Sequence, residues 1–300
     1  MSKISVVINT LNEEKNLPHA LESVKNLADE IVVVDMHSDD ATQQIAKKYG
    51  AVVYEHTRTN YVEPARNFAI EKAKGDWILI LDADEEIPVR LAEKIKEVAN
   101  NSKSGDYYRI PRKNIVWGKW VKHSRWWPDY NIRLFKKGMV AWSEVIHSVP
   151  MTKGTGSNFQ QEERYAIFHN HYPTIELFLE RMNRYTTEEA KTLVKDGYKF
   201  KWTDIIRKPT DEFLSRYFYG EGYKDGIHGL ALALLQTFSE LTKYLKVWQS
   251  GKFKEINPSL EEIVGQINKS KKDLNYWQAD ALVKNKGGIM QIIKRKFRLP

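Results

Sequence analysis

The chain has no cysteine in 300 residues, which excludes a disulfide framework and any thiolate-bound zinc or iron–sulfur centre and favours a cytoplasmic setting. Long apolar runs are missing as well. The longest, Gly229-Leu230-Ala231-Leu232-Ala233-Leu234-Leu235, falls far short of the roughly 20 residues that cross a bilayer, so no transmembrane helix is expected. A signal-peptide core is not expected either, because Met1-Ser2-Lys3 leads straight into Ile4-Ser5-Val6-Val7-Ile8, which reads as a first strand. No repeat or low-complexity tract breaks the chain.

What is present is apolar surface, aromatic residues and positive charge. A content of 42% hydrophobic and 12% aromatic residues can bury a large core, and the length suits one big α/β domain with an appendage. The net charge of +8 attracts anions, whether nucleic acid, acidic phospholipid or phosphorylated small molecules, and its sign alone does not choose among them.

Strand and helix signals alternate in the N-terminal part. Strands are read over Ile4–Thr10, Glu30–Asp35, 51–54 and 77–81, with helices near 14–27, 40–49 and 64–73. That alternation predicts a mainly parallel sheet wound by helices on both faces. Ile31-Val32-Val33-Val34 is apolar on both faces, as a central strand must be, and Asp35 stands at its carboxyl end, where open α/β sheets bind ligands. From 107 to 149 the texture turns aromatic, Arg-rich and β-like, with Trp117, Trp120, Trp126, Trp127 and Trp142 crowded together. Beyond His171 the chain reads as helical over 174–194, 211–219, 226–248 and 259–285. The expected organisation is a catalytic domain over 1–172, a helical region over 173–250 and a basic amphipathic extension over 251–300.

The most specific feature is Trp77-Ile78-Leu79-Ile80-Leu81-Asp82-Ala83-Asp84-Glu85-Glu86, an apolar strand running into clustered carboxylates. Acids this close repel one another, so the arrangement is costly unless a cation or a counter-charge sits among them. Mg²⁺ or Mn²⁺ fits, because hard cations prefer oxygen ligands and keep positions open for phosphate. The plainer alternative is an acidic turn capping a helix that begins near Pro88.

The Asp82-Ala83-Asp84 segment resembles the DXD region of family 2 glycosyltransferases, and earlier segments resemble that family in order. They are Val7-Ile8-Asn9-Thr10-Leu11-Asn12-Glu13, then Asp35-Met36-His37-Ser38-Asp39-Asp40-Ala41-Thr42, then Ala65-Arg66-Asn67. Met36 and His37 stand where the family has a second Asp and a Gly. Later stretches are similar to the lipopolysaccharide-core and capsule group, which includes heptose glucosyltransferases: Asn131-Ile132-Arg133-Leu134-Phe135, 140–147, Phe168-His169-Asn170-His171-Tyr172, 213–217 and 222–229. The resemblance implies a GT-A fold, Rossmann-like, with a C-terminal helical module, and a nucleotide-sugar donor, with uridine favoured. It implies that Thr10, Asn12 and Glu13 cradle the nucleoside, that Asp35 contacts the base, and that Arg66 and Asp82 lie at the nucleotide. Arg66 is independently apt, since a guanidinium suits diphosphate oxygens. Asp84 and Asp82, with His169, are the expected metal ligands; His147 and His169 match histidines of the family, and a structural histidine is the alternative for each.

The family inverts the anomeric centre, so one carboxylate must take the acceptor's hydroxyl proton. The candidates are Glu144 and Asp129, with Glu144 preferred. Indole faces suit pyranose rings, and a core role suits the same tryptophans. The implied activity is transfer of a hexose to a glycan or lipid-linked acceptor in cell-surface polysaccharide or lipopolysaccharide synthesis.

Leu230, Leu234, Phe238, Leu241 and Leu245 form a stripe that fits a helical core, a homo-oligomer seam or a membrane surface equally well. The ending Ile289-Met290-Gln291-Ile292-Ile293-Lys294-Arg295-Lys296-Phe297-Arg298 reads as a basic amphipathic helix lying on an anionic membrane, which places the chain on the inner face of the cell membrane. Two other functions compete. A nucleic-acid-binding protein should show a basic face free of acids, whereas the best-organised motif here is acidic, so no nucleic-acid partner is expected. A nucleotidyltransferase should carry a Gly-rich basic loop after its first strand, and Asn9-Thr10-Leu11-Asn12-Glu13-Glu14 is not one.

Overall fold

The computed structural model describes residues 1–59, 62–143 and 149–300. The chain divides into two compact units, Met1–Trp120 with Trp126–Pro173, and Val121–Arg125 with Thr174–Pro300.

The first unit begins β1 (Ile4–Thr10), α1 (Leu17–Val24), β2 (Glu30–Asp35), α2 (Thr42–Lys48), β3 (Val52–Glu55), α3 (Glu63–Lys72) and β4 (Trp77–Asp82). It continues with β5 (Glu85–Glu86), α4 (Val89–Asn100), β6 (Tyr107–Ile110), β7 (Arg112–Val116), β8 (Lys119–Trp120), β9 (Asn131–Lys136), β10 (Val140–Ala141), β11 (Met151–Thr152), β12 (Gly156–Asn158) and β13 (Ile167–Tyr172). The main sheet has seven strands in the order β12-β6-β9-β4-β1-β2-β3. Strands β1 to β4 pair in parallel, and β9 runs antiparallel to both β4 and β6. A four-stranded sheet, β5-β13-β7-β8, and the hairpin β10-β11 complete the unit.

Side-chain alternation explains why the central strands are apolar throughout. Ile4, Val6 and Ile8 of β1 join Leu79 and Leu81 of β4 in one core that also holds Leu17, Leu21, Leu91 and Ile95 from α1 and α4. The intervening Val7 joins Val32, Val34, Ile78 and Ile80 in a second core, with Ala69 and Ile70 from α3. Both faces are therefore covered, and each fully buried Val, Leu or Ile contributes about 1.5–3 kcal/mol.

The acidic stretch does not cap α4. The N-cap position is Pro88 and no side chain bonds there. Glu85 and Glu86 instead form a two-residue strand whose register places Glu85 opposite His169 and Glu86 opposite Phe168.

The second unit is helical: α5 (Ile175–Lys195), α6 (Asp204–Phe213), a π-helical turn (Leu214–Tyr219), a 3₁₀ turn (Gly222–Asp225), α7 (Ile227–Ser250), α8 (Leu260–Lys286) and α9 (Ile289–Phe297). Thr174 caps α5 by accepting from Leu177 N, and Ser259 with Glu262 forms a capping box on α8. Helix α6 starts well before the expected residue 211, because Pro209 is accommodated inside it rather than ending it. The segment Val121–Arg125 is stitched to the turns of this unit. Ser124 N donates to Gly220 O at 2.7 Å, and buried Asp225 accepts from Lys122 N at 3.2 Å and His123 N at 2.8 Å. Gly229 lies so close to the 3₁₀ turn that a Cβ there would sit 1.8 Å from Gly222 O, so only glycine fits. Among the described residues no helix is long and apolar enough to cross a membrane.

Candidate functional site

The parallel strands β2, β1 and β4 end side by side. Their register places Asp35 opposite Thr10 and Asp82 opposite Asn9, so the two aspartates flank the end of β1. This is the edge at which open α/β sheets bind ligands.

Asp35 is fully buried, and its partners are all neutral. Its Oδ1 accepts from Thr10 Oγ1 at 3.1 Å and Ser38 Oγ at 2.5 Å, and its Oδ2 accepts from Ser38 N at 2.9 Å and Gln43 Nε2 at 2.9 Å. The loops after β1 and β2 are laced together around it. Asn12 N donates to Ser38 Oγ, Asp39 N to Asn12 Oδ1, and Glu13 N to Thr42 Oγ1, each at 2.8 Å. Thr10, Asn12, Glu13 and Asp35 thus belong to one loop cluster. Asn12 (φ 56°) and His37 (φ 57°) hold the left-handed turns that shape it.

Asp82 is surrounded by cations instead. Arg66 Nη2 donates to its Oδ1 at 3.0 Å and Arg133 Nη2 to its Oδ2 at 2.5 Å. Arg133 also donates to Glu85 Oε1 at 2.6 Å, and Arg112 bridges Glu85 Oε1 at 3.4 Å and Asp129 Oδ2 at 2.8 Å. Glu85, wholly buried, turns its other oxygen back to accept from Asp82 N at 3.0 Å. Burial pushes the Asp82 carboxyl up, but Arg133, then Arg66 and Arg112, outweigh it and hold the group well below the usual carboxylate range. Burial likewise works against the charge on Arg133, and Asp82 and Glu85 more than offset it. The counter-charge anticipated for these acids is therefore supplied in large part by the protein's own arginines.

Arg66 is 8% exposed, its guanidinium lies 5.8 Å from the Trp142 ring, and its Nη1 is buried with no hydrogen-bond partner among the described residues. Asn67 fixes that wall, donating to Trp142 O at 2.7 Å and accepting from Trp142 N at 2.9 Å.

Residues 5–153 match the model of Glycosyl transferase family 2. An uncharacterised glycosyltransferase of Rickettsia typhi is 30% identical over 258 residues, covering 82% of this chain and 87% of that protein. The chain belongs to family 2 of the glycosyltransferases. The lipopolysaccharide core biosynthesis glycosyltransferase LpsC of Rhizobium meliloti is 24% identical over 82% of this chain and 92% of its own length. Among solved structures, S. aureus TarS 1-349 in complex with UDP matches with a TM-score of 0.46 at 18% identity, over 86% of this chain and 94% of that one. Membership sets aside the nucleotidyltransferase and nucleic-acid readings.

In this family 2 transferase the second acidic residue of the motif, Asp84, meets a histidine. His169 Nε2 lies 3.6 Å from Asp84 Oδ1, with His169 only 3% exposed. Its tautomer is set from behind. Asn114 donates through Nδ2 to Trp126 O at 2.9 Å and Asp129 Oδ2 at 2.8 Å, so its Oδ1 faces His169 Nδ1, at 2.6 Å. The Nδ1 atom therefore carries a proton, and Nε2 lies 3.1 Å from His171 Nδ1.

Asp129 of the transferase is committed through Oδ2 to Arg112 and Asn114, and its Oδ1 lies 3.3 Å from Asn131 Nδ2. Glu144 and His147 lie outside the described residues.

Arg133, Arg112, Asn114 and Glu85 escaped the sequence reading as site residues. One signal for Arg133 was available: an arginine inside the otherwise apolar Ile132-Arg133-Leu134-Phe135 must find a carboxylate when the strand is buried. Nothing local marks Asn114.

Proposed function

We propose that the chain is an inverting hexosyltransferase that uses a nucleotide diphosphate sugar, UDP-linked by preference, and adds the sugar to a glycan or lipid-linked saccharide of cell-surface polysaccharide or lipopolysaccharide. One observation carries the donor assignment: at the strand ends Arg66, Arg112 and Arg133 gather around Asp82, Glu85 and Asp129, Asp84 lies beside His169 Nε2, and Arg66 Nη1 is buried with no hydrogen-bond partner among the described residues. The carboxylate of Asp84 is a ligand type that suits a divalent cation, and the buried guanidinium donor suits a phosphate oxygen.

Among the described residues no group of three His, Asp or Glu is gathered for an ion, so Mg²⁺ or Mn²⁺ would need a revised ligand set completed by the donor's own phosphate oxygens. Asp84 and His169 converge, whereas both oxygens of Asp82 are occupied by arginines. Asp84 and His169 would hold the ion, and Asp82 would hold the arginines. A bound cation would offset charge on the departing diphosphate. The loop cluster of Thr10, Asn12, Glu13 and Asp35 forms the nucleoside cradle, with Asp35 setting loop shape through its neutral donors. Arg66 orients the diphosphate.

In the transfer step the acceptor hydroxyl oxygen bonds to the anomeric carbon while the carbon–oxygen bond to the diphosphate breaks on the opposite face. The hydroxyl proton passes to a carboxylate, for which Glu144 is our candidate, since Asp129 would have to release Arg112 and Asn114 to serve. The similarity to LpsC supports a cell-surface saccharide acceptor.

The decisive experiment is a screen of UDP- and GDP-sugars for chelator-sensitive donor hydrolysis, repeated with Asp84→Ala. Loss of turnover in the variant is expected; undiminished turnover, or indifference to chelator, removes the metal assignment. Glu144→Gln should keep donor affinity and lose transfer, and collapse of donor binding instead would move the base to Asp129.

We further propose that α9 lies on an anionic membrane surface. Ile289, Met290, Ile293 and Phe297 are exposed on it. Arg295 is already engaged with Asp280, and Arg298, just past the helix, with Asp273, so Lys296 would carry the electrostatic share. Co-sedimentation of the full chain with anionic and neutral vesicles tests this; equal binding to both, or binding unchanged by Ile293→Glu, removes it.

A further inference from the structure

The segments 213–217 and 222–229, similar to the lipopolysaccharide-core group, take no part in the donor site. In the helical unit they help to build a cavity of about 550 Å³ between the π-helical turn, the 3₁₀ turn, α8 and α9, within the roughly 300–1,000 Å³ of small-molecule sites. Its walls are of two kinds. Tyr217, Phe218 and Tyr223 supply aromatic surface, and Gln278, Gln291 and Lys294 bring polar groups from the two C-terminal helices.

The aromatic side is held in place. Tyr217 stacks on Phe213 at 5.4 Å between ring centroids and meets Phe218 and Tyr223 edge-on. The π-helical turn causes the crowding, since its wider winding packs Tyr217 and Phe218 into adjacent positions of one short turn. Tyr223 is fixed from the other side, because Asn285 Nδ2 donates to its hydroxyl at 3.0 Å.

The polar side divides sharply. Asn275 is used internally, donating to Arg298 O at 3.1 Å, and Asn285 is spent on Tyr223 and on Ala281 O. By contrast, the side chains of Gln278 and Gln291 make no hydrogen bond, and that of Lys294 makes neither a hydrogen bond nor an ion pair, among the described residues. Helix α9 sorts its side chains accordingly: Arg295 and Arg298 bind α8, while half-buried Gln291 and Lys294 border the cavity.

We propose that this cavity is a saccharide-binding site, taking a short oligosaccharide that carries a carboxylate or phosphate. Aromatic faces accept the C–H faces of pyranose rings, planar amides bind hydroxyl pairs, and a lysine without an internal counter-ion selects an anionic substituent. The choice of a saccharide among possible ligands rests on the transferase reading; the division of the cavity wall does not.

The test titrates the full-length chain, by calorimetry, with neutral, uronic-acid-containing and phosphorylated disaccharides, and with maltose against dodecyl maltoside. Binding of the anionic disaccharides is expected, weakened at least tenfold by Lys294→Met and by Gln291→Leu, both half-buried substitutions that leave the aromatic wall intact. Donor hydrolysis is measured on the same samples. Unchanged hydrolysis with lost saccharide binding supports a separate site. Wild-type hydrolysis with no disaccharide bound, or binding indifferent to both substitutions, overturns the proposal and leaves the transferase reading standing. Affinity that follows the alkyl chain rather than the sugar overturns it in favour of a lipid. Absence of donor hydrolysis in the wild type counts against the transferase reading alone, since saccharide binding is read without it.

Discussion

Asp35 and Asp82 end strands on either side of β1, yet the protein surrounds them in opposite ways. Asp35 is saturated by a hydroxyl pair, a backbone amide and a glutamine, and Asp82 by two arginines with a third close by. A neutral-donor shell fixes the shape of a loop and leaves the carboxyl group buried among dipoles. A guanidinium shell offsets the charge and in exchange pins Arg66, whose Nη1 is buried with no hydrogen-bond partner among the described residues. The first aspartate organises backbone, the second organises cations.

The largest expected effect follows from breaking the cationic shell. Arg133→Met leaves Asp82 with one arginine and Glu85, which is wholly buried, with only the longer Arg112 contact, so unfolding stability should fall by about 3–5 kcal/mol in urea titrations. Asp35→Asn keeps the size of the group but replaces one of its two acceptor oxygens by a donor, so a loss of about 1–3 kcal/mol is expected. Equal losses for the two variants would erase the distinction.

Next in size is catalytic. Asn114→Leu removes the acceptor that fixes the His169 proton on Nδ1, and donor turnover should fall about 10–100-fold. Imidazole ¹⁵N shifts provide a readout that simple misfolding would not reproduce: a mixture of His169 tautomers is expected in a chain that still melts cooperatively. A single tautomer together with full turnover would show that Asn114 merely packs.

The pH dependence is smaller and concerns Asp82 and its arginines. Because the folded Asp82 carboxyl lies below its unfolded value, the stability it contributes is complete above the ordinary carboxylate range and disappears as pH falls through the folded value. The stability gap between the wild type and Asp82→Asn should therefore be constant near neutrality and shrink below about pH 4, as measured by urea midpoints across that range. A gap that widens on acidification would mean that the arginines do not govern this carboxyl.

How much of this could be read from residues alone depended on range. Strands β1, β2 and β4 announced themselves because two-sided burial demands unbroken Val, Ile and Leu, and the structure places β2 at Glu30–Asp35, as its apolar run implied. Thr10, Asn12 and Asp35, to which the family resemblance pointed, sit together in one loop cluster, and their role at a nucleotide is part of the proposal. The arginine shell was not, since Arg133 lies 51 residues from Asp82 and only the antiparallel return of β9 brings it beside β4. Acid spacing showed that compensation was required and left its source open. The two-residue strand β5 was invisible for a related reason: it is imposed by its distant partner β13 rather than by local periodicity.

The smallest effect concerns what the neutral shell demands of the backbone. Asp35 accepts from Ser38 twice only because the chain turns back at His37, whose φ of 57° places an exposed histidine in the left-handed region. The resembling family has glycine at this position, which adopts that conformation without a Cβ clash. Left-handed strain in an L-residue costs about 1–2 kcal/mol, and glycine gives back roughly half of this through its greater freedom when unfolded. His37→Gly should therefore raise stability by about 0.5–1 kcal/mol, visible as a small upward shift in Tm, with Asp35 and its four bonds unchanged. A drop in Tm would mean that the imidazole itself supports the loop, and the shell of Asp35 would then have a member that its hydrogen bonds do not reveal.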